Sequence, residues 1–499
     1  MVNPKGIFNR TWVVAVVLFL LVLTLKFPVL NTPHYWDAMN RVHNADWVKE
    51  HGFNPFLEKG EGMLKAQGRP PLFFILLALA WTLFGQSLVV THAIVVLFSF
   101  LGVLFTYLLG RDLVNHRVGF LASLLLLFSP LYFAQSGILN FEIPLTALSV
   151  MAIYFALREN PFGYGLAALS LVLTKETGML ILIPLALVMG LRDRPKRKFY
   201  ATFAMVASPL AVYVLWLAAC RMYLGWYVFP AHAGILNLSS PFHLVKVLID
   251  RLSQILIEHH HWILSLTLVL GAWAARKDLD REKLKILLLV GGLAAYVIFF
   301  SFYSVPLDRY LLPVYPLFFL LCSWSMDRLS RTDWKPSAVA LLVILSLFIM
   351  SWKGRRSAMG FELETNLEYL DFIDVHKKAA RFIEENFSDK HILTDWPQTM
   401  ELRHPLEGYV TKPLRASSIF EPYDLAEVDI VYYVPQSVKE FGDLIGQLEL
   451  VPLAKYEKNG KEAVVSKLLR SSGRGGQGEA GTTPTRVRPS GTRTVGDLE

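Results

Sequence analysis

Cysteine is almost missing from this chain. Its 499 residues include two, Cys220 and Cys322. Both sit in apolar segments, so no disulfide framework is implied and the redox compartment stays open. Charge is scarce too: Asp, Glu, Lys and Arg make up 18% of the residues, far less polar surface than a soluble chain of this length needs. The chain has no P-loop, Gly-rich dinucleotide loop or Cys-rich metal motif in a fitting context. That argues against chemistry fed by a cytoplasmic nucleotide. No small-x-small cleavage site follows the first apolar run, which starts after Lys5 and Arg10, so an uncleaved first span is expected. What the chain has in quantity is apolar surface, 54% of its residues. The net charge of +8 is weak evidence for nucleic acid, because much of the excess lies in short loops between apolar runs, where it sets topology.

The first membrane-length segment spans about 11–30. Further apolar segments recur at about 90–109, 118–134, 143–157, 163–175, 178–191, 199–220, 261–275, 284–303, 309–326 and 336–352. The basic loop at 192–198 is the strongest cytoplasmic marker, and 110–117, 276–283, 327–335 and the N-terminus join it inside. This assignment requires that 72–84, short for a span, lie in the membrane plane or re-enter on the outer face. About eleven transmembrane helices follow, in a transmembrane module over 1–352 with an outer-face loop at 31–89. The alternative is a twelve-span chain with a cytoplasmic C-terminal domain. From 353 to 470 the composition is that of a soluble domain. A helical pattern at 375–386 and strand-like runs at 392–394, 430–434 and 463–466 make it a small α/β domain. The tail at 471–499 has almost no apolar residue and is expected to be disordered.

On this topology the unusual polar residues share the outer face: Asp37, Arg69, Glu142, Lys175, Glu176, Asp308, Arg309 and Tyr310. Asp37 follows Tyr35 and Trp36, whose rings can shield it from water. A partly desolvated carboxylate there can take a proton from a hydroxyl nucleophile. The same residue can instead N-cap the stretch 38–51. Glu142, just before Ile143-Pro144, can orient an acceptor or hold a divalent cation, or can stabilise a helix N-terminus. Arg309 can bind a phosphate through paired hydrogen bonds or form a surface ion pair with Asp308. Lys175 and Arg69 are further cations, and Lys175 can pair with its neighbour Glu176. Consecutive histidines diverge on a helix, so His259, His260 and His261 cannot all bind one metal. One of them can join a remote acid, and interfacial solvation is the plainer reading.

These residues resemble a known group, the GT-C-fold membrane glycosyltransferases of the protein O-mannosyltransferase and lipid A aminoarabinose transferase type. The resemblance rests on Tyr35-Trp36-Asp37, Gly68-Arg69-Pro70-Pro71-Leu72, Leu109-Gly110-Arg111-Asp112-Leu113, Leu173-Thr174-Lys175-Glu176-Thr177-Gly178 and Arg309-Tyr310-Leu311-Leu312-Pro313. It covers about 10–350, and the C-terminal domain is in keeping with it. It implies that Asp37 is the catalytic base and Glu142 the second outer-loop acid. Arg309, Lys175 and Arg69 would hold a donor phosphate, with Tyr35, Trp36, Tyr310 and Glu176 lining the substrate cavity. The implied reaction moves a sugar from a polyprenyl-phosphate donor to a hydroxyl of a protein, lipid or glycan, in one inverting displacement at the outer membrane face. With no retention signal visible, a plasma (inner) membrane is the default location. Two departures stand out: Ala38 where relatives often have a second acid, and Arg69 where they often have His before Pro-Pro. Both bear on metal use, so a divalent metal ion is an open candidate cofactor. A lipid or sugar transporter, or a non-catalytic GT-C scaffold, are the rival readings.

Overall fold

The computed structural model describes residues 4–56, 69–192, 196–227, 241–276, 279–303, 307–330, 335–353, 363–435 and 439–469. Gly68, residues 193–195 of the basic loop at 192–198 and the tail at 471–499 lie outside the described residues. The chain folds as two compact units. One takes the chain up to Leu30 and His43–Leu367; the other takes Asn31–Val42 and the described chain from Glu368.

The first unit is helical. After α1 (Pro4–Lys26) comes α2 (Asp37–Glu50), which begins in the second unit and ends in the first. Then follow α3 (Leu72–Phe84), α4 (Leu88–Leu113), α5 (His116–Phe128), α6 (Pro130–Gln135), α7 (Glu142–Leu157), α8 (Pro161–Thr174), α9 (Met179–Arg192) and α10 (Lys196–Leu224). The set closes with α11 (Pro241–Leu256), α12 (His261–Ala274), α13 (Leu279–Phe300), α14 (Tyr315–Leu329) and α15 (Lys335–Met350). Helices α7 and α14 are apolar on nearly every side and are buried along most of their length, which is where an all-round apolar helix belongs. Helices α4 and α5 meet through glycine: a Cβ on Gly110 would lie 2.6 Å from the Cα of Gly119.

Four described helical stretches are long and apolar enough to cross a membrane: Thr11–Val29, Leu88–Leu113, Tyr200–Leu224 and Lys283–Phe300. The pair Phe242–Leu256 and Glu258–Ala274, bent by 43°, makes a fifth if it is one span. Five more apolar helices are shorter, Leu72–Phe84 among them. The expected count of about eleven is not reached by helix length, because local breaks divide the apolar runs. Pro130 starts a new helix after Ser129 inside the run at 118–134, and the run at 309–326 opens in the 3-10 stretch Asp308–Val314 before α14 begins.

The second unit is a small α/β domain. Helix α16 (Glu368–Phe387) lays Tyr369, Phe372, Ile373, Ala380 and Ile383 on its buried side. The sheet runs β2 (Ala416–Ser418), β1 (Ile392–Thr394), β3 (Ile430–Tyr433), β5 (Lys461–Leu468), β4 (Leu450–Lys458). Strand β1 is parallel to β2 and β3, whereas β5 is antiparallel to β3 and β4. Asn459 and Gly460, both at positive φ, make the two-residue turn between β4 and β5. Short helices α17 (Gln398–Arg403) and α18 (Lys439–Ile445) complete the unit.

Candidate active site

In the helical unit, Glu142 opens α7 and is 2% exposed. A carboxylate there meets the positive end of the helix dipole, and Pro144 sits in the first turn, where no intrahelical donor is required. Lys175 Nζ donates to Glu142 Oε1 at 2.8 Å and lies 4.5 Å from the Tyr310 ring centroid. The neighbour Glu176 turns to Arg69, at 3.8 Å, and Arg69 also faces the Phe141 ring at 5.6 Å. Arg309 pairs with Glu364 and lies 5.8 Å from the Tyr310 ring. Gln135 Nε2 donates to Glu364 Oε2 at 3.2 Å, and Asn140 Nδ2 donates to Gln135 Oε1 at 3.2 Å.

Six of the nine residues singled out in the sequence are thus linked around Glu142 and Tyr310: Glu142, Lys175, Arg309 and Tyr310 directly, Arg69 through Phe141, and Glu176 through Arg69. Two pairings differ from the sequence alternatives. Lys175 takes Glu142 rather than Glu176, and Arg309 takes Glu364. Glu364 and Gln135 were missed. Glu364 lies in a region of soluble-domain composition, and Gln135 ends a short helix with no motif around it. Three guanidinium or ammonium groups and three carboxylates in largely buried surroundings form an environment in which anionic groups can exchange partners.

Asp308 sits apart from Arg309's pair. Gln254 donates to its Oδ1, and Arg251, fully buried, donates to Gln254 Oε1 at 2.7 Å. Burial and the nearby Glu258 push the Asp308 carboxyl up to about 7. Glu258, His259 and Asp308 each bring one ligand atom to within 4.8 Å of the others. One imidazole and two carboxylates are a donor set that suits a borderline divalent cation. The His run divides as follows: His259 is buried with these acids at φ +50°, and His261 is buried against Tyr315, Phe318, Phe319 and Phe348.

In the second unit, Asp37 is the first residue of α2 and 6% exposed, one place inside the helix rather than at its cap. Arg41, one turn on, reaches Asp37 Oδ2 at 3.4 Å and its carbonyl at 2.9 Å. Trp36 holds a positive φ of +50°, a region costly for a non-glycine residue, and stacks edge-on against Trp396 at 4.7 Å. Tyr35 packs between Tyr369 and Phe372, at 5.7 and 5.4 Å. His34 lies 3.2 Å from Glu407, its backbone carbonyl accepting from the Tyr409 hydroxyl at 3.0 Å. The segment before Asp37 is therefore held by the core of the C-terminal unit.

Residues 68–226, less than half of the chain, match a family model described as dolichyl-phosphate-mannose-protein mannosyltransferase. No curated protein sequence matches. Among solved structures, ArnT from Cupriavidus metallidurans in the apo state aligns with a TM-score of 0.58 at 16% identity, covering 92% of this chain and 98% of that one. The same protein bound to undecaprenyl phosphate gives 0.57 at 16% identity over 94% and 99%. The archaeal oligosaccharyltransferase AglB from Archaeoglobus fulgidus, in complex with an inhibitory peptide and a dolichol-phosphate, gives 0.50 at 12% identity over 85% and 69%.

Proposed function

Starting from the GT-C fold that this chain shares with those proteins, we propose that it is an integral-membrane glycosyltransferase that uses a polyprenyl-phosphate sugar. The observation that carries the reading is the cluster of buried Lys175 and Arg309 with half-buried Arg69 in a fold that ArnT also adopts when bound to undecaprenyl phosphate. Tested against soluble or nucleotide-fed chemistry, the cluster and the apolar helices favour a lipid-borne anion as donor.

Each role follows from side-chain chemistry. Arg309, Lys175 and Arg69 bind the donor phosphate, the arginines through paired N–H donors and Lys175 as a point charge. Asp37 takes the proton from the acceptor hydroxyl as its oxygen forms a bond to the anomeric carbon. The bond from that carbon to the phosphate oxygen breaks, and the electron pair leaves with the phosphate. Attack on one face and departure from the other inverts the anomeric centre. Charge growing on the leaving phosphate strengthens its bonds to the cations, and this difference between ground and transition state is what accelerates the step. Glu142 holds Lys175 in place and orients the acceptor. Where the reaction uses a divalent cation, Glu258, His259 and Asp308 are the residues to hold it, and it supplies positive charge for a phosphate. We place the catalytic loops and the C-terminal unit on the outer side of a plasma (inner) membrane, with about eleven spans.

The experiment is glycosyl transfer from a panel of radiolabelled polyprenyl-phosphate sugars, with wild type beside Asp37→Asn and Glu142→Gln. Wild type transfers from at least one donor, and Asp37→Asn loses roughly two to four orders of magnitude in rate, the range of general-base catalysis. A folded Asp37→Asn variant with wild-type turnover would remove Asp37 as the base. Vectorial movement of a donor with no sugar transfer would favour a transporter.

A further inference from the structure

The end of the helical unit opposite Glu142 carries a second feature that the sugar-transfer reading does not use. Glu142 and Leu157 bound the two ends of α7, about 24 Å apart at 1.5 Å per residue. Beside the Leu157 end is a cavity of about 710 Å³, within the size range of small-molecule pockets. It is walled by the last turns of α4, α7 and α9 and the first turns of α13.

The wall has two chemistries. Leu113, Val188 and Leu288 are buried aliphatic residues that make its apolar side. Arg158, Arg192, Lys283 and Lys285 supply four cations, against Asp112 as the lining acid. Arg158 Nε pairs with Asp112 Oδ2 at 2.7 Å, and Asp112 also holds Arg111 at 2.7 Å. Arg192 meets Glu159 at 2.7 Å. Lys285 Nζ donates to the carbonyl of Leu113, at the C-terminal end of α4, where a cation offsets the helix dipole. With both Asp112 and Glu159 counted, the four cations leave a net charge of +2. A guanidinium has five N–H donors, so the Arg158 pair with Asp112 leaves it able to bind an anion as well. Leu284, on the wall, is an aliphatic residue that stays 38% exposed.

A cationic rim over an aliphatic wall matches an amphiphile whose head is anionic and whose tail is hydrocarbon. A soluble phosphate would not use the aliphatic side. A nucleotide base would want aromatic faces, and Tyr154, the aromatic residue in the wall, is already faced by Arg158 at 5.7 Å. We propose that this cavity binds the headgroup of an anionic phospholipid from the leaflet opposite the candidate active site. The lipid would tie together the ends of α4, α7, α9 and α13. The inference depends on the chain being embedded in a membrane and not on its reaction.

The test is thermal stability of the full chain in detergent, titrated with dioleoylphosphatidylglycerol, dioleoylphosphatidylcholine or inorganic phosphate. The proposal expects a saturable rise in Tm with the phosphatidylglycerol alone. The variant Arg158→Gln/Lys283→Gln should weaken the apparent affinity by roughly ten- to thirty-fold, since each basic residue near an anionic lipid contributes about 1 kcal/mol. A charge-keeping variant, Arg158→Lys/Lys283→Arg, should restore most of it and controls for folding. Equal shifts with both lipids, or a phosphatidylglycerol shift unchanged in the Gln variant, would overturn the proposal. A shift reproduced by inorganic phosphate would replace the lipid with a free-anion site. Because no sugar donor is present, failure here leaves the glycosyltransferase reading untouched.

Discussion

Lys175 has an acid as its immediate neighbour and bonds instead to one 33 positions away. The reason is backbone geometry: Lys175 is extended, at φ −159° and ψ 144°, so consecutive side chains leave in opposite directions. Lys175 therefore points to Glu142, and Glu176 points to Arg69. Both Lys175 and Glu142 are buried, so removing one partner leaves an uncompensated charge. Glu142→Gln or Lys175→Met alone should each cost about 3–5 kcal/mol, while the double variant should recover much of that loss. Thermal unfolding of the three variants measures this, and strict additivity would show that the pair does not act as one. Of the residues proposed for a cation, His259 is the most specific. His259→Ala should lower the bound divalent metal measured by elemental analysis of protein purified with zinc or manganese. Stoichiometric metal in that variant would exclude the Glu258, His259 and Asp308 set.

Helices meet at distances set by their smallest residues. Gly110 and Gly119 let α4 and α5 approach until a Cβ on Gly119 would collide with the carbonyl of Tyr107, the kind of contact that packs helices in a lipid environment. Gly119→Leu should force the two helices apart, lowering Tm and yield, because the clash is with backbone that cannot rotate away. Wild-type stability in that variant would mean that the bundle does not depend on this crossing. In the second unit, helix α16 is tied to a loop by Glu384, whose Oε1 accepts from the Thr411 amide and hydroxyl and the Lys412 amide. Burial alone would raise this carboxyl, but those bonds outweigh it and hold it below the usual glutamate value. Its stabilisation is thus complete above about 4.5, near the unfolded value, and is lost as pH falls through the lower folded value. Hydrogen-exchange protection at Thr411 and Lys412 should drop over that window. In Glu384→Gln the drop should be absent.

At the scale of the whole chain, Asn31–Val42 belongs with the C-terminal unit although more than 300 residues separate them in sequence. Tyr35 and Trp36 are the anchors, against Tyr369, Phe372 and Trp396. The C-terminal domain therefore helps to set the backbone that presents Asp37. Phe372→Ala removes a ring from this cluster at a cost of about 3–5 kcal/mol. It should increase amide exchange at Ala38 and Met39, whose N–H groups bond to Tyr35 and Trp36, together with exchange in α16. Faster exchange in α16 with residues 38 and 39 unchanged would separate the loop from the unit.

Patterns that repeat locally could be read without a structure. The apolar runs, the helix at α16 and the strands β1, β3 and β5 follow from periodicity, because a buried face must recur with the period of its element. Strand β4 was not read: Pro452 interrupts it and most of its residues are exposed, as an edge strand allows. Strand β2 is only three residues long. The choice of Asp37, Glu142, Lys175, Arg69 and Arg309 as candidates came from charge placed at the ends of apolar runs, where burial makes it expensive. Their partners could not be read. Glu364 for Arg309, Glu142 for Lys175 and Phe372 for Tyr35 depend on contacts between distant segments, and no local periodicity records these. The sequence alone determined which side chains would be costly to bury; the tertiary structure decided which groups surround them, because a buried charge or ring takes whatever partner the packing of remote helices brings within reach.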